Sequence, residues 1–277
     1  MKSPSTRHQS VQHAQRDSLE HAFFSAAGTY IHPTAYVGPQ VSLGENVKIG
    51  PYSLITGDVT IDDDAHIYGH VVIGSTAQDA HTHRPMGKVI IGEKSVIREF
   101  ATIDAPKSED GITRLGAHNY CMHFAHIAHD VTTGDHVTLT NNAQIAGHAI
   151  IEDHVLIMAH AAVHQRCRIG TYSALAPFSG CRQDIPPFCL FAHQPAAYAG
   201  LNRVKLKRMQ LSSESINALK RVAGLFYQEK LPLKEIQSIC MTESWGTDQY
   251  AQSFIQFIAD SRRGISRATV RDGEKAW

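Results

Sequence analysis

From Ile31 to Cys181 an apolar side chain returns at every sixth residue, and a period of six admits very few folds. The series runs Ile31, Val37, Leu43, Ile49, Ile55, Ile61, Ile67 and Ile73. It resumes at Ile91, Ile97 and Ile103, and again at Leu115, Cys121, Ile127, Thr133, Leu139, Ile145, Ile151, Ile157, Val163, Ile169, Leu175 and Cys181. Of these 23 positions only Thr133 is not apolar, whereas a chain that is 43% hydrophobic would place roughly ten apolar residues there by chance. A helix repeats every 3.6 residues and an isolated strand every two. A period of six instead predicts short flat sides, three of which close one eighteen-residue coil of a β-solenoid. The residue two before each apolar site is usually small or Val, as at Ala35, Val41, Val47, Ala125, Val131, Ala143, Ala149 and Ala161, which eases a corner. Glycine often follows the aliphatic residue (Gly38, Gly44, Gly50, Gly92, Gly116, Gly134, Gly170), and the expectation is that it supplies a φ that other residues resist.

The phase fails twice. Asp79 and Pro85 fall on inward positions of 75–88, and Glu109 falls on one in 104–113, so both segments are expected to leave the coil as loops, where function is often carried. After Pro186-Pro187 the period disappears. Ser212 is a plausible N-cap for a helix through Ile216, Leu219, Val222, Ala223 and Phe226, with further helical stretches at Pro232 to Ile239 and Asp248 to Ile258. The organisation expected is a polar extension over 1–27, a mainly β solenoid over 28–190 and a small α-helical domain over 191–277.

Twenty-six basic and twenty-six acidic residues balance, which gives no reason to expect nucleic acid as a partner. A basic cluster at Arg203, Lys205, Lys207 and Arg208 is suited to an acidic ligand or carrier. The five cysteines are odd in number and two sit at inward positions, as reduced thiols in a cytoplasmic protein would. No apolar run follows Lys2 and Arg7 as in a signal peptide, and none approaches the ~18 residues of a membrane span, so no integral membrane contact is expected.

None of the eighteen histidines takes an inward site. Outward positions tolerate any polar residue, so most of them need no functional explanation. Coil arithmetic singles out three: eighteen residues beyond His129 lies Gly147, beside His148, and eighteen more reach Gln165, beside His164. With rungs about 4.8 Å apart, these three are expected to form one column able to hold a substrate and supply a base. Neutral imidazole, with an unperturbed pKa of about 6.5, accepts a proton at neutral pH, and Asp130 beside His129 is placed to fix its tautomer. A Gly-x-Ser-x-Gly nucleophile motif is absent, and the cysteines look buried, so direct base catalysis is preferred over a covalent intermediate.

At these residues the chain resembles a known family. The run AHIAHD (His126, His129, Asp130), then NNAQIAGH ending in His148, AAVHQRCRIG with His164 and Gln165, QDIPP from Gln183, GLNRVKLKRMQLS from Gly200 and SRRGISR from Ser261 are similar to the UDP-N-acetylglucosamine O-acyltransferases that begin lipid A synthesis. The resemblance spans about residues 29 to 267. It implies a left-handed parallel β-helix of hexapeptide repeats, assembled as a homotrimer with its sites in grooves between subunits. It further implies transfer of a fatty acyl group, of the 3-hydroxyacyl kind, from acyl carrier protein to the 3-hydroxyl of UDP-N-acetylglucosamine. The acyl carrier protein thioester is then a co-substrate, and no cofactor or metal is implied. On the same footing His129 is the general base, Asp130 orients it and the Gly147 N–H stabilises the oxyanion. Gln78, Asp79, His81, His126, His148, His164 and Gln165 contact substrate or acyl chain, Asn202 and Arg208 lie near the nucleotide, and Pro177 stands where acyl-chain length is set.

Four departures accompany the likeness. The family's Gln-Asp-x-Lys is Gln78, Asp79, Ala80 and His81 here, which removes a permanent positive charge; its His-Arg-Gly is Asp104, Ala105 and Pro106. Its Asn-Ile-Glu is Asn202, Arg203 and Val204, and Pro177 replaces a Gly or a larger residue. A retained centre inside an altered recognition shell fits an active, divergent paralogue. Two other readings remain open on the residues alone. One is N-acylation of an amino-sugar nucleotide in the same groove. The other is a metal-dependent, carbonic anhydrase-like hydratase using His118 and His123 with His81 or His83, which would need three convergent ligands and an open position.

Overall fold

The computed structural model of the chain describes residues 27–84 and 86–270; the expected N-terminal extension, Ala27 excepted, and Pro85 of the first loop lie outside them. Short strands fall on the predicted hexads and assemble into three parallel faces. The first face starts at Tyr30–Ile31, the second at Tyr36–Val37 and the third at Val41–Leu43, with ten, eight and seven strands respectively. Lys48 pairs with His66 and Thr138 with Leu156, each eighteen residues on. Across the loops His66 pairs with Val96, thirty residues on, and Val96 with Tyr120, twenty-four on. Both loops therefore insert a whole multiple of six residues, which is why the phase survives them. Both are also shorter than expected. The flanking strands Val72–Ser75 and Thr102–Asp104 run on, and Ser75 pairs with Asp104 across them, leaving loops at 76–87 and 105–111.

The inward side chains, from Ile49 to Ile169, are almost all at most 2% exposed and stack into one continuous core. Each fully buried Ile or Leu contributes about 1.5–3 kcal/mol. The single polar member of the series, Thr133, is buried with its hydroxyl satisfied by the side-chain amide of Asn119 at 2.6 Å, and Asn119 in turn accepts from the Val137 N–H at 2.7 Å.

The glycine expectation is corrected. Gly44, Gly50, Gly92, Gly116, Gly134 and Gly170 do not have positive φ; a Cβ on Gly92 or Gly170 would lie 2.5 or 2.4 Å from backbone atoms of the next coil. Glycine is needed there because successive coils touch. The left-handed residue is two positions later and is seldom glycine: Asp130, His136, His148, His154 and Arg166 have φ of 59°, 57°, 59°, 60° and 62°. Asn, Asp and His tolerate this region best. Stacking offsets part of a cost of about 1–2 kcal/mol per residue, as His118, His136, His154 and Tyr172 form a ladder with ring separations of 4.7, 4.7 and 4.4 Å. Many of the outward histidines are thus corner residues of the coil.

The first sheet continues beyond residue 190: Cys189–Ala192 adds in parallel, and Ala197–Leu201 folds back antiparallel upon it. The boundary expected at 190 therefore falls inside a strand. A short helix α1, Arg203–Arg208, follows, capped by Asn202, and was not foreseen in so basic a run. Helices α2 (Ser213–Tyr227), α3 (Leu233–Thr242) and α4 (Gln249–Asp260) then pack together. Ser212 caps α2 as expected, and Asp248 caps α4 while accepting from the Ser215 hydroxyl at 2.7 Å. Tyr227 stacks on Tyr198 at 3.8 Å and joins the helices to the sheet. Among the described residues no helix is long and apolar enough to cross a membrane.

Candidate active site

The corner between the second and third faces carries the chemistry. On it the register sets three adjacent columns: Asp104, Ala128, Ala146 and His164; then His129, Gly147 and Gln165; then Asp130, His148 and Arg166. The single column expected for His129, His148 and His164 is therefore corrected. His148 lies one residue to one side of the His129 column and His164 one residue to the other, because a shift of one residue at a corner changes direction as well as position. His129 and His148 still meet edge to face, with ring centroids 5.1 Å apart at 82°.

His129 is the best-placed base. Its Nδ1 is 2.8 Å from Asp130 Oδ2, so the proton sits between them and Nε2 is left with a free lone pair. Asp130 is itself held by several contacts. Its backbone N–H donates to Thr113 Oγ1 at 2.9 Å, and its Oδ2 also accepts from the Lys107 N–H at 3.2 Å. His148 Nε2 lies 3.8 Å from the same oxygen. Burial holds His148 below the ordinary imidazole range against the pull of Asp130, so it is uncharged at neutral pH.

The imidazole of His129 lies directly over Gly147, where a Cβ would stand only 2.3 Å from Cε1 and 2.5 Å from Nε2. On the neighbouring corner the equivalent N–H groups of Glu45, Ala117 and Asp135 are each taken by an aspartate one coil further on. Gln165 occupies that place above Gly147, and among the described residues the Gly147 N–H donates to no acceptor. An unengaged donor thus sits beside the free Nε2.

These groups line an open cavity of about 600 Å³ along the corner. Gln78, Asp79, Asp104, His126 and His129 crowd one end, His164, Gln165, Arg182 and Gln194 the other, and Ala128, Ala146 and Gly147 form a low floor between. Of the residues predicted for the site, the cavity gathers Gln78, Asp79, His126, His129, Gly147, His164 and Gln165. Asp130 and His148 stand just behind them. His81 is exposed, with only its backbone N–H held by Asp79 at 2.9 Å, so its ring does not replace the missing cation. That charge comes instead from Lys107 in the second loop, whose Nζ lies 2.5 Å from Asp79 Oδ2 and lowers its pKa. The tail motif also reaches the cavity, with Arg263 Nη2 3.4 Å from His164 Nδ1.

Three predicted residues lie elsewhere in the chain. Asn202 is buried as the cap of α1 and donates to the Tyr172 carbonyl at 2.9 Å, and Arg208 is exposed at the end of that helix. Both belong to the corner of the histidine ladder. Pro177 is half-buried on the third corner, beside Phe178. For metal chemistry, His118 stacks on His136 while His123 pairs with Glu99 at 2.9 Å, so those two do not converge. The described trio with metal-ligand spacing is His129, Asp130 and His148, whose ligand atoms lie within 4.8 Å of one another. Asp104, Lys107, Arg182 and Gln194 were missed. Asp104 and Lys107 had a signal in the departures of the two loops, but which way a loop side chain points depends on the path of the loop.

Residues 184–266 match the family described as UDP-N-acetylglucosamine O-acyltransferase, domain 2, and residues 26–57 match the bacterial transferase hexapeptide repeats. The acyl-[acyl-carrier-protein]–UDP-N-acetylglucosamine O-acyltransferase of Herminiimonas arsenicoxydans is 40% identical over 86% of this chain and 99% of its own, and that of Thiobacillus denitrificans is 37% identical over the same shares. Among solved structures, the UDP-N-acetylglucosamine acyltransferase of Bacteroides fragilis superposes with a TM-score of 0.76 at 29% identity, covering 85% of this chain and 99% of that one. The enzyme of Campylobacter jejuni gives 0.74 at 29% identity, over 88% and 98%.

Proposed function

This chain belongs to the UDP-N-acetylglucosamine O-acyltransferase family, a left-handed parallel β-helix enzyme family, and from that premise we propose the reaction and the part each residue takes in it. The protein moves an acyl group from acyl carrier protein to the 3-hydroxyl of UDP-N-acetylglucosamine, the first step of lipid A synthesis. The observation that carries this reading is the His129–Asp130 pair lying over Gly147. His129 Nε2 removes the hydroxyl proton as the oxygen attacks the thioester carbonyl. Asp130 accepts the Nδ1 proton and stabilises the imidazolium that forms. The negative charge that develops on the carbonyl oxygen is met by the Gly147 N–H. Collapse breaks the C–S bond, and the imidazolium returns its proton to the departing carrier thiol. The new C–O bond leaves the base neutral again.

The two ends of the cavity suit two substrates. The end with Asp79, Asp104 and His126 offers acceptors and an imidazole to the hydroxyls of a sugar. The end with His164, Gln165 and Arg182 offers donors to the acyl donor or to a phosphate. Asn202 and Arg208 stand on a different corner, which favours a groove completed by a neighbouring subunit of a homotrimer. Incubation with acyl carrier protein thioester and UDP-N-acetylglucosamine should yield a 3-O-acylated product by mass spectrometry, and His129→Ala should lower kcat by about 10²–10⁴. A wild-type protein that acylates only the 3-amino analogue would establish N-acylation instead. A one-to-one mixture of His129→Ala and Arg208→Ala chains, refolded together, should regain activity at about a quarter of the interfaces. Activity no greater than the sum of the parents would place both residues in one subunit's site.

A further inference from the structure

The carboxylate of Asp104 is 98% buried yet forms part of the cavity wall. A buried carboxylate is costly unless its oxygens are well supplied with donors. Here the supply is thin: the Ser75 hydroxyl at 3.4 Å and the Gln78 N–H at 3.3 Å, both at the long limit for such bonds. His126 Nε2 stops 3.9 Å short of Oδ2, beyond direct hydrogen bonding. The other nitrogen of that ring is engaged, with Nδ1 2.8 Å from the Thr102 hydroxyl, so the ring is fixed and does not swing in to close the gap. Two polar atoms thus face each other across a space that one small polar group would fill. The carboxylate responds accordingly: burial raises its pKa despite the nearby His126, and burial lowers that of His126.

The position of this gap relative to the base decides what fills it. Asp104 pairs with Ser75 on one side, and its column continues directly into Ala128, the residue before His129. A hexose whose 3-hydroxyl meets His129 Nε2 therefore turns one of its adjacent ring substituents toward Asp104. Resting on the acyltransferase reading, we propose that Asp104 is a specificity-determining residue, accepting a hydrogen bond from a donor next to the reacting hydroxyl, either the 2-acetamido N–H or the 4-hydroxyl, with His126 on the far side of the same group. Lys107 and Asp79 close the rim of that end and leave Asp104 the unpaired acceptor within it.

Asp104→Asn keeps the size of the side chain and one acceptor, and so preserves its hold on the first loop while removing the charge. The KM for UDP-N-acetylglucosamine should rise about 10- to 100-fold, the loss of a charge-assisted hydrogen bond, while the KM for the acyl carrier thioester stays within about twofold. Two further sugar nucleotides locate the donor. UDP-N-acetylgalactosamine, inverted at C4, loses its disadvantage in the variant if the 4-hydroxyl is read. UDP-glucose, lacking the acetamido group, does so if the 2-acetamido N–H is read. An unchanged KM for UDP-N-acetylglucosamine, an equal rise in both KM values, or the same ranking of the three sugars in wild type and variant would overturn the assignment. Asp104→Ser supplies the same comparison if the Asn variant does not fold. Wild-type protein inactive on every sugar nucleotide defeats the acyltransferase reading itself, whereas an active wild type matched by its variant defeats only this one.

Discussion

A single methyl group added at Gly147 tests the arrangement at its tightest point. In Gly147→Ala the new Cβ would lie 2.3, 2.5 and 2.9 Å from Cε1, Nε2 and Nδ1 of His129, and these are its three nearest atoms. Ordinary contact is about 3.5–4.0 Å, so the ring must withdraw by more than an ångström, stretching the 2.8 Å bond from Nδ1 to Asp130. The φ of Gly147 is not positive, so alanine fits the backbone and the whole strain falls on that one side chain. A misplacement of this size costs about 10²-fold in rate, and complete loss of the base up to about 10⁴. A fall in kcat of about 10²–10³, or about 3–4 kcal/mol in the barrier, is expected. Overpacking costs about 1–3 kcal/mol of stability, less about 0.4–1 kcal/mol recovered from the stiffer unfolded chain.

The His129→Ala background removes the obstacle. There the same Gly147→Ala change should be neutral or slightly stabilising, so the double-mutant cycle should show a coupling of about 1–3 kcal/mol. Thermal unfolding of the four proteins, with kcat for wild type and Gly147→Ala, measures both effects. A Gly147→Ala enzyme that keeps more than a third of its activity, or a stability loss that is the same with and without His129, would refute the stacking of base on glycine.

Asp130→Asn deprives Nδ1 of its carboxylate and should lower kcat by about 10²–10⁴ with little change in either KM, in steady-state assays of the purified variant. Lys107→Met removes the ammonium from Asp79 and should raise the KM for the sugar nucleotide several-fold, with rescue by Lys107→Arg; an unchanged KM would show that the ammonium has no part in the site. Added zinc should inhibit by occupying His129, Asp130 and His148, and a chelator should restore the rate; activation by zinc would revive a metal mechanism. His66, His148 and His154 are all held below the ordinary imidazole value of 6.5 chiefly by burial. Their neutral forms therefore favour the fold, and the stability they contribute is present above pH 6.5 and lost as pH falls through their lower folded values. Asp104, raised by burial, acts in the opposite sense but is a single group. The melting temperature should drop between pH 7.5 and 5.5, less so in His154→Gln.

The repeat was legible because inward positions admit little besides aliphatic side chains, so even Thr133 stood out and proved to be satisfied by Asn119. The loops were legible because Asp79 and Glu109 cannot take inward sites. The corner chemistry was harder to read. Counting by eighteen correctly set His129 over Gly147 and then treated His148 and His164 as equivalent neighbours, although a corner gives adjacent residues different directions. The role expected of glycine was misread for a related reason: coil-to-coil distance is invisible in one sequence, and the demand for positive φ falls on residues such as His148 and Asp130 instead. The antiparallel strand Ala197–Leu201 and the helix Arg203–Arg208 escaped notice because neither follows the period of six, and because Asn202, the cap, lies in a run that reads as a basic patch.

The two loops turn out to act together. Each leaves the solenoid on the same side, and each by a multiple of six residues, so the coils beneath remain in register and the floor of Ala128, Ala146 and Gly147 is undisturbed. What the first loop lacks as a cation at His81, the second supplies as Lys107, whose backbone N–H also holds Asp130. One residue therefore joins the rim of the cavity to the support of the base. A change in the second loop then alters substrate recognition and base geometry together, whereas a change at His81, which faces solvent, should alter neither. Recognition has shifted between loops here while the dyad has stayed on the rigid corner, and a scaffold that fixes its reactive groups through coil register leaves its loops free for such a shift.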